Sequence, residues 1–165
     1  VMTKDFNDMT SQELFEFIVK GLFQQGRQCI DEDGTCYYRG DESGLEDLKG
    51  LKCGVGMVIR DEDYLPTLEL NEFKDLLYSC RIGASPNQSY LDKNREMLQY
   101  IQDIHDNKRN WLSEESLKAA FRLCAGEYGI NPSFIDGLTL DSKVMSRKAK
   151  KRTTRKSGRA ARLKL

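Results

Sequence analysis

The side chains best suited to chemistry in this chain are five cysteines and a single histidine. Cys29, Cys36 and Cys53 are separated by six and sixteen residues, and Cys80 or His105 would complete a set of four zinc ligands. Structural zinc sites ordinarily pair their cysteines about two to four residues apart. The wider spacing favours buried thiols that pack as small apolar side chains. We therefore expect no bound metal and no other cofactor.

The same residues offer one candidate for nucleophilic catalysis. Cys53, beside Gly54, would be the thiol, and His105, beside Asp106, would be its base. Lys52 is the one neighbour that would lower the pKa of the thiol. The favoured alternative places His105 at a helix end, partly buried and hydrogen-bonded to a carboxylate or carbonyl. The sequence therefore predicts no catalytic residue, and the chain is not expected to be an enzyme.

Two other short patterns match ligand-binding loops only in part. Gly54-Val-Gly56 lacks the third glycine of a dinucleotide loop and the Gly-Lys-Ser/Thr of a P-loop. Close packing of the backbone against a neighbouring element explains these glycines better. Asp61-Glu-Asp63 lacks the spacing of a calcium loop, so these carboxylates are expected to face water.

Tyr37, Tyr38 and Arg39 are the candidate residues for binding a protein partner. An arginine beside aromatic side chains at the end of a hairpin is a common anchor in interfaces. The alternative for Arg39 is a structural ion pair with an acid such as Asp41 or Glu42, and this alternative is favoured.

The strongest feature of the sequence is its division of charge. The chain has 26 basic and 26 acidic residues. Residues 143–165 contain eleven of the basic residues and no acidic residue, so residues 1–142 have a net charge of about −11. The eleven are Lys143, Arg147, Lys148, Lys150, Lys151, Arg152, Arg155, Lys156, Arg159, Arg162 and Lys164.

A basic segment of this kind predicts binding to nucleic acid. Lysine and arginine displace counterions from phosphates, which gives an affinity that depends on salt and not on base sequence. Residues 143–165 contain no Phe, Tyr or Trp that could stack on bases. Two alternatives are that the segment folds back on the acidic body and that it binds an acidic protein.

Helical periodicity and capping signals locate the elements around these residues. Helices are expected at about 11–25, 71–81, 88–107 and from Ser113 to Gly129, with Asn71 capping the second. A β-hairpin is expected around Asp31–Gly34. Residues 51–59 are expected to form either a buried strand or a short buried helix, and the helix is favoured. The predicted fold is α+β and mostly helical, with about four helices and one small hairpin. Residues 1–140 form an acidic domain, and residues 141–165 form a basic tail that is disordered until bound.

Features of export and membrane insertion are absent from the sequence. No N-terminal apolar run with a cleavage site is present, and the apolar stretch at 55–59 is too short to span a bilayer. An odd number of scattered cysteines is typical of a reducing compartment. We expect no membrane partner.

Three motifs resemble a group of uncharacterised small proteins of tailed bacteriophages. They are Cys36-Tyr-Tyr-Arg-Gly40, the run Gly50-Leu-Lys-Cys-Gly-Val-Gly56 with its continuation to Tyr64, and Ile104-His105-Asp106 followed by Trp111. The resemblance covers about residues 10–130 and implies no activity. The long loop at 40–50 and the basic tail depart from that group.

The resemblance and the charge division together suggest a phage accessory protein in the host cytoplasm. Its body would bind a host or phage nucleoprotein, and its tail would contact DNA or RNA phosphates. The alternatives are a virion component anchored to the genome by its tail, and an enzyme of unrecognised type.

Overall fold

The structure is a computed structural model that describes residues 4–78 and 86–141. Its α-helices are α1 (Ser11–Gln25), α2 (Phe73–Tyr78), α3 (Ser89–Lys93), α4 (Arg95–Asp106) and α5 (Glu114–Glu127). Single 3-10 turns lie at Phe6–Asp8, Gly40–Ser43, Glu46–Leu48, Gly56–Val58, Asp61–Asp63, Pro66–Leu68, Pro86–Gln88, Lys108–Trp111 and Ser133–Gly137. This part of the chain is mostly helical, as predicted, and contains no helix that is long and apolar enough to cross a membrane.

The first helix has the boundaries that its capping residues predict. The Thr10 hydroxyl accepts the Glu13 amide at 3.1 Å, and the Glu13 carboxylate accepts the Thr10 amide at 2.8 Å. Each bond satisfies an amide that has no partner inside the helix. At the other end, Gly26 adopts a φ of 72° and stops the helix.

The core forms where α1, α4 and α5 place apolar residues at helical spacing. The Phe15 and Phe121 rings meet edge-on, with centroids 6.2 Å apart. The helical spacing predicts a set of inward-facing residues, and these are buried: Leu14, Phe15, Ile18, Leu22 and Phe23 on α1; Phe73 and Leu76 on α2; Leu91 on α3; Leu98, Ile101, Ile104 and His105 on α4; Leu117, Phe121 and Cys124 on α5. Leu77 on α2, also predicted to be buried, is half-buried.

The single helix predicted over 88–107 is two helices. The chain breaks at Asn94, whose φ and ψ of −111° and 18° lie outside the helical range. Its side-chain amide donates to the Tyr90 carbonyl at 2.8 Å, and its backbone amide donates to the same carbonyl at 3.2 Å. The helix predicted over 71–81 is α2. It begins at Phe73, so Glu72 and not Asn71 holds the cap position, and the Glu72 carbonyl accepts the Leu76 amide at 3.1 Å. The Asn71 side-chain amide donates to the Thr67 and Glu69 carbonyls.

The predicted β-hairpin is wrong in extent. Ile30 and Cys36 form one isolated antiparallel bridge, and no longer strand occurs in the described ranges. Asp31 closes the loop by accepting the Asp33 and Thr35 amides at 3.0 and 2.8 Å. After this loop, the amides of Tyr38 and Arg39 bond to the side chain of Glu69 instead of a neighbouring strand. The mixed α+β class is therefore not supported.

The short helix weakly predicted at 51–59 is also wrong. Lys52 bridges Arg39, and a single 3-10 turn follows at Gly56–Val58. A Cβ at Gly54 would lie 2.8 Å from Ile101 Cγ2, and one at Gly56 would overlap the Tyr38 carbonyl oxygen. Close packing is the role that the sequence predicted for both glycines.

We predict that Gly56→Ala lowers the free energy of unfolding by about 3 kcal/mol, because its Cβ would overlap backbone that cannot move alone. Gly126→Ala on α5 is the matched control. Its Cβ meets nothing within 4 Å, so stability should rise by up to about 1 kcal/mol. Urea unfolding measures both changes, and similar responses from the two variants would contradict the packing described here.

Candidate functional site

His105 lies at the C-terminal end of α4 and is fully buried, with 0% of its surface exposed. Its Nε2 accepts the backbone amide of Cys29 at 3.0 Å. Its Nδ1 lies 2.8 Å from Asp106 Oδ1. Each ring nitrogen therefore has a partner, as a buried polar group requires.

The backbone carbonyl of His105 is a second point of attachment. It accepts Trp111 Nε1 at 2.9 Å and Gln28 Nε2 at 2.6 Å. Because the ring also accepts the Cys29 amide, this one residue connects the segment after α1, the 3-10 turn after α4, and α4 itself. The sequence predicted His105 at a helix end, partly buried and bonded to a carboxylate or carbonyl. The helix end and the carboxylate are confirmed, whereas the burial is complete.

The partners of the ring determine where its proton lies. An amide N–H can only donate, so Nε2 must present its lone pair to Cys29. The proton of the neutral ring is then on Nδ1, which donates it to Asp106. Burial by itself raises the pKa of the Asp106 carboxyl, but hydrogen bonds from His105 and Gln102 outweigh burial and hold that pKa below its ordinary value.

Two cysteines and Gln102 complete this cluster. Gln102 Nε2 donates to Cys36 Sγ at 3.2 Å and to Asp106 Oδ1 at 2.8 Å, while its Oε1 accepts the Val55 amide at 3.1 Å. Cys36 Sγ lies 3.9 Å from His105 Nδ1. A hydrogen bond with the Cys53 thiol, together with burial, raises the pKa of Cys36 well above its ordinary value.

The cluster differs from the zinc set and the catalytic pair considered from the sequence. Cys36, His105 and Asp106 place their ligand atoms within 4.8 Å of one another, whereas Cys29 contributes its amide. A metal ion bound to Nδ1 would displace the proton that His105 donates to Asp106. The neutral ring would then carry its proton on Nε2, where it would face the N–H group of Cys29. Cys36, and not Cys53, lies beside His105, and neither ring nitrogen has a lone pair free to deprotonate it.

Glu69 organises a second polar centre that the sequence did not indicate. Only 9% of its surface is exposed. Its carboxylate accepts the Tyr38 and Arg39 amides at 2.9 and 3.0 Å and the Tyr64 hydroxyl at 2.6 Å. Burial and the bond to Glu69 raise the pKa of Tyr64. Sequence periodicity could not reveal this centre, because Glu69 follows a single 3-10 turn and lies outside any regular helix or strand.

The predicted partner-binding residues all have intramolecular roles. Tyr38 is buried and donates its hydroxyl to the Asn71 carbonyl at 2.7 Å. Arg39 stacks over Tyr64 at 4.1 Å and pairs with Asp61 at 2.8 Å. Tyr37 is half-buried, and its hydroxyl bonds to Asp31 at 3.2 Å. Contact of these residues with a partner stays a prediction.

Arg39 therefore forms a structural ion pair, as the favoured interpretation predicted, but with a different acid. Asp61, and not Asp41 or Glu42, is its partner. Asp63 pairs with Arg60 at 3.0 Å, and Glu62 lies 4.0 Å from the same guanidinium. Asp61 and Glu62 are exposed, as the sequence predicted, although each has an arginine partner. The expectation fails for Asp63, whose side chain is only 19% exposed.

A cleft of about 460 Å³ opens beside the His105 cluster. Its walls are Thr35, Cys36, Tyr38, Leu70, Asn71, Glu72, Phe73, Gln99, Gln102, Asp103 and Asp106. Leu70 is unusual there, because its φ is 66° and 83% of its surface is exposed. A leucine in this left-handed conformation costs about 1–2 kcal/mol. Because the side chain is exposed, burial of apolar surface does not offset this cost.

Comparison with known proteins gives no further guidance, since no family model, curated protein or solved structure matches this chain. The three motifs behind the phage resemblance nevertheless meet in space. Gly56 packs under the Tyr38 carbonyl, and Cys36 Sγ lies 3.9 Å from His105 Nδ1. The predicted nucleic-acid-binding residues from Lys143 to Lys164, and Cys80, lie outside the described residues.

We predict that His105→Ala lowers the free energy of unfolding by about 3 kcal/mol, because it opens a cavity and leaves the buried Cys29 amide without an acceptor. His105→Gln is the matched variant, since its Oε1 could still accept that amide, and it should cost less. Chemical denaturation measures both. A loss below about 1 kcal/mol for His105→Ala would contradict this role.

We also predict an acid-dependent contribution from Asp106. Its folded pKa is lowered, so its stabilising effect is fully present above the unfolded pKa of about 3.9 and is lost as the pH falls from there through the lower folded pKa. The stability difference between the wild type and Asp106→Asn should therefore shrink below about pH 4. Asp103→Asn, which leaves His105 untouched, is the control and should retain the acid-dependent loss. A difference that does not change with pH would contradict the prediction.

Proposed function

We propose that this chain is a non-catalytic accessory protein of a tailed bacteriophage that acts in the host cytoplasm. Its folded body binds a host or phage nucleoprotein, and its basic segment, residues 143–165, contacts the nucleic-acid phosphates. The observation behind this proposal is the charge division, with eleven cations and no anion in residues 143–165. Phosphate contacts of this kind do not distinguish DNA from RNA.

Ion pairing within the body supports this division of roles. Arg39, Arg60 and Arg122 each lie within 3 Å of a carboxylate oxygen. Six lysine and arginine residues besides these form ion pairs in the described ranges: Lys4, Lys20, Arg27, Lys49, Lys74 and Lys118. A cation already neutralised by an acid adds little attraction for phosphate, so the body should contribute little to nucleic-acid affinity.

The acidic surface of the body suits a basic protein surface. Asp41, Glu42, Glu46 and Asp47 are exposed on consecutive 3-10 turns. Proteins that package or process nucleic acid expose basic surfaces, and complementary charge accelerates the encounter with them. The body and the basic segment would then occupy neighbouring sites, where tethering places the segment at an effective concentration of about 1 mM.

The His105 cluster supports the non-catalytic part of the proposal. The raised pKa of Cys36 keeps its thiol protonated at neutral pH, and a protonated thiol is a poor nucleophile. Asp106 and Cys29 already engage both nitrogens of the nearest base. These contacts favour a cluster that stabilises the fold.

We predict that removal of residues 143–165 abolishes the retardation of DNA or RNA in a gel at low salt, because eleven cations with no acid in their own segment are removed. The melting temperature should change little, since the described core is drawn from residues 6–140. For the full chain, raising the salt concentration from about 50 to 200 mM should weaken binding by about 1,000-fold or more. Retardation by the truncated protein would contradict the proposal.

A matched pair of variants tests the same point without truncation. Lys151→Gln with Arg152→Gln removes two cations from the basic segment, and Lys108→Gln with Arg109→Gln removes an equivalent exposed pair from the body. The first variant should reduce the slope of log affinity against log salt by about 2. The second should leave that slope nearly unchanged. Equal effects would show that phosphate binding is not confined to residues 143–165.

A further inference from the structure

The cleft beside the His105 cluster is lined by hydrogen-bond acceptors that have spare capacity. Asp103 and Asp106 are exposed and project from the side of α4 that lines the cleft. Gln99 Oε1 is buried and has no hydrogen-bond partner among the described residues. Carboxylates accept several hydrogen bonds each, and an orphan carbonyl oxygen requires a donor. A ligand for this cleft should therefore be cationic and rich in N–H groups.

Apolar side chains also line the cleft, beside Asn71 and Glu72. Leu70 projects there from its left-handed backbone conformation, with Phe73 and Tyr38 beside it. Glycine or asparagine would fit this conformation more easily. A strained and exposed leucine is best explained by an apolar contact that forms only when the cleft is occupied. The ligand should thus combine cationic and aliphatic side chains.

The end of this chain has that combination. Arg162-Leu163-Lys164-Leu165 alternates cations with leucines, and Arg159 lies three residues before Arg162. In an extended segment, alternate side chains point to opposite sides. Arg162 and Lys164 could then face the carboxylates of α4 while Leu163 and Leu165 face Leu70.

The length of the segment permits this contact. The 24 residues after Asp141 can extend to about 80 Å, whereas a domain of this size has a radius of gyration of about 14 Å. Tethering gives an effective concentration of about 1 mM, so even a site with millimolar affinity would be substantially occupied. A separate basic protein would need to reach a similar concentration to compete.

We propose that the cleft formed by Leu70, Gln99, Asp103 and Asp106 binds residues 159–165 of the same chain. Arg162 and Lys164 bond to the α4 carboxylates and Gln99 Oε1, and the two terminal leucines pack on Leu70. This deepens the proposed function and, for its biological consequence, rests on it. Nucleic acid must then compete with the cleft for the basic segment, so the cleft reduces binding to weak or isolated phosphate sites.

Limited proteolysis of the full chain tests the proposal without nucleic acid. Trypsin cleaves after lysine and arginine, and its rate follows the population of the unbound segment. The measured quantity is the rate of cleavage after Arg159 and Arg162 relative to that after Lys150 and Lys151, which lie outside the docked residues. Mass spectrometry of the released peptides gives this ratio at low and high salt.

In the wild type, the ratio should be low at low salt and should rise by about threefold or more at high salt, because salt screens the contact. Asp103→Asn and Leu70→Gly should each raise the low-salt ratio, and Leu70→Gly also relieves backbone strain, so unfolding cannot explain its effect. Asp92→Asn removes an exposed charge outside the cleft and should leave the ratio unchanged.

The same ratio in all variants at low salt would overturn the proposal. Protection that increases with protein concentration would also overturn it, since the segment would then bind a second copy. Gel retardation is measured separately on the wild type. If proteolytic protection is observed without nucleic-acid binding, the cleft stands and the proposed function fails. If nucleic-acid binding is observed without proteolytic protection, the proposed function stands and the proposed cleft contact fails.

Discussion

The described structure depends on one constraint, which is that the buried side chain of His105 must have its hydrogen bonds satisfied. An imidazole with no exposed surface must give each nitrogen a partner, and the fold supplies the Cys29 amide to one and Asp106 to the other. Its carbonyl also receives Trp111 and Gln28. These bonds join segments that are distant in sequence, so the loss of one partner would leave buried polar groups unsatisfied in more than one segment.

Glu69 has the same role in the part of the chain that lacks regular structure. Between α1 and α2 the backbone has few helical or strand partners, and the amides of Tyr38 and Arg39 bond to the Glu69 carboxylate. Tyr64 bonds to that carboxylate and stacks under Arg39. Buried side chains thus replace a β-sheet as the source of hydrogen bonds for this segment. The close approach at Gly56 is possible because no side chain separates the two backbones.

The hydrogen bonds also explain why a cluster of cysteine, histidine and aspartate need not be reactive. Cys36 has the residue types of a thiol enzyme beside it, yet the proton of His105 is held by Asp106 and its lone pair by Cys29. Catalysis requires a base with a lone pair directed at the nucleophile, so the direction of each bond matters more than the identity of the residues. Electrostatics outside this cluster follows a simpler rule, in which the cations of the body are largely paired with acids and those of residues 143–165 have no acid within their own segment.

The sequence by itself determined α1, α5 and the charge division, but it did not indicate the interruption at Asn94 between α3 and α4. Thr10, Glu13 and Gly26 set the limits of α1 through local bonds, and the apolar spacing identified its buried face, because both signals depend on neighbours within one or two turns. Only the tertiary structure decided that Glu69 would take the amides expected in a hairpin, that Arg39 would pair with Asp61, and that Cys36 would lie beside His105. These contacts join residues far apart in the chain, and their energies depend on burial and bond direction, neither of which appears in residue spacing.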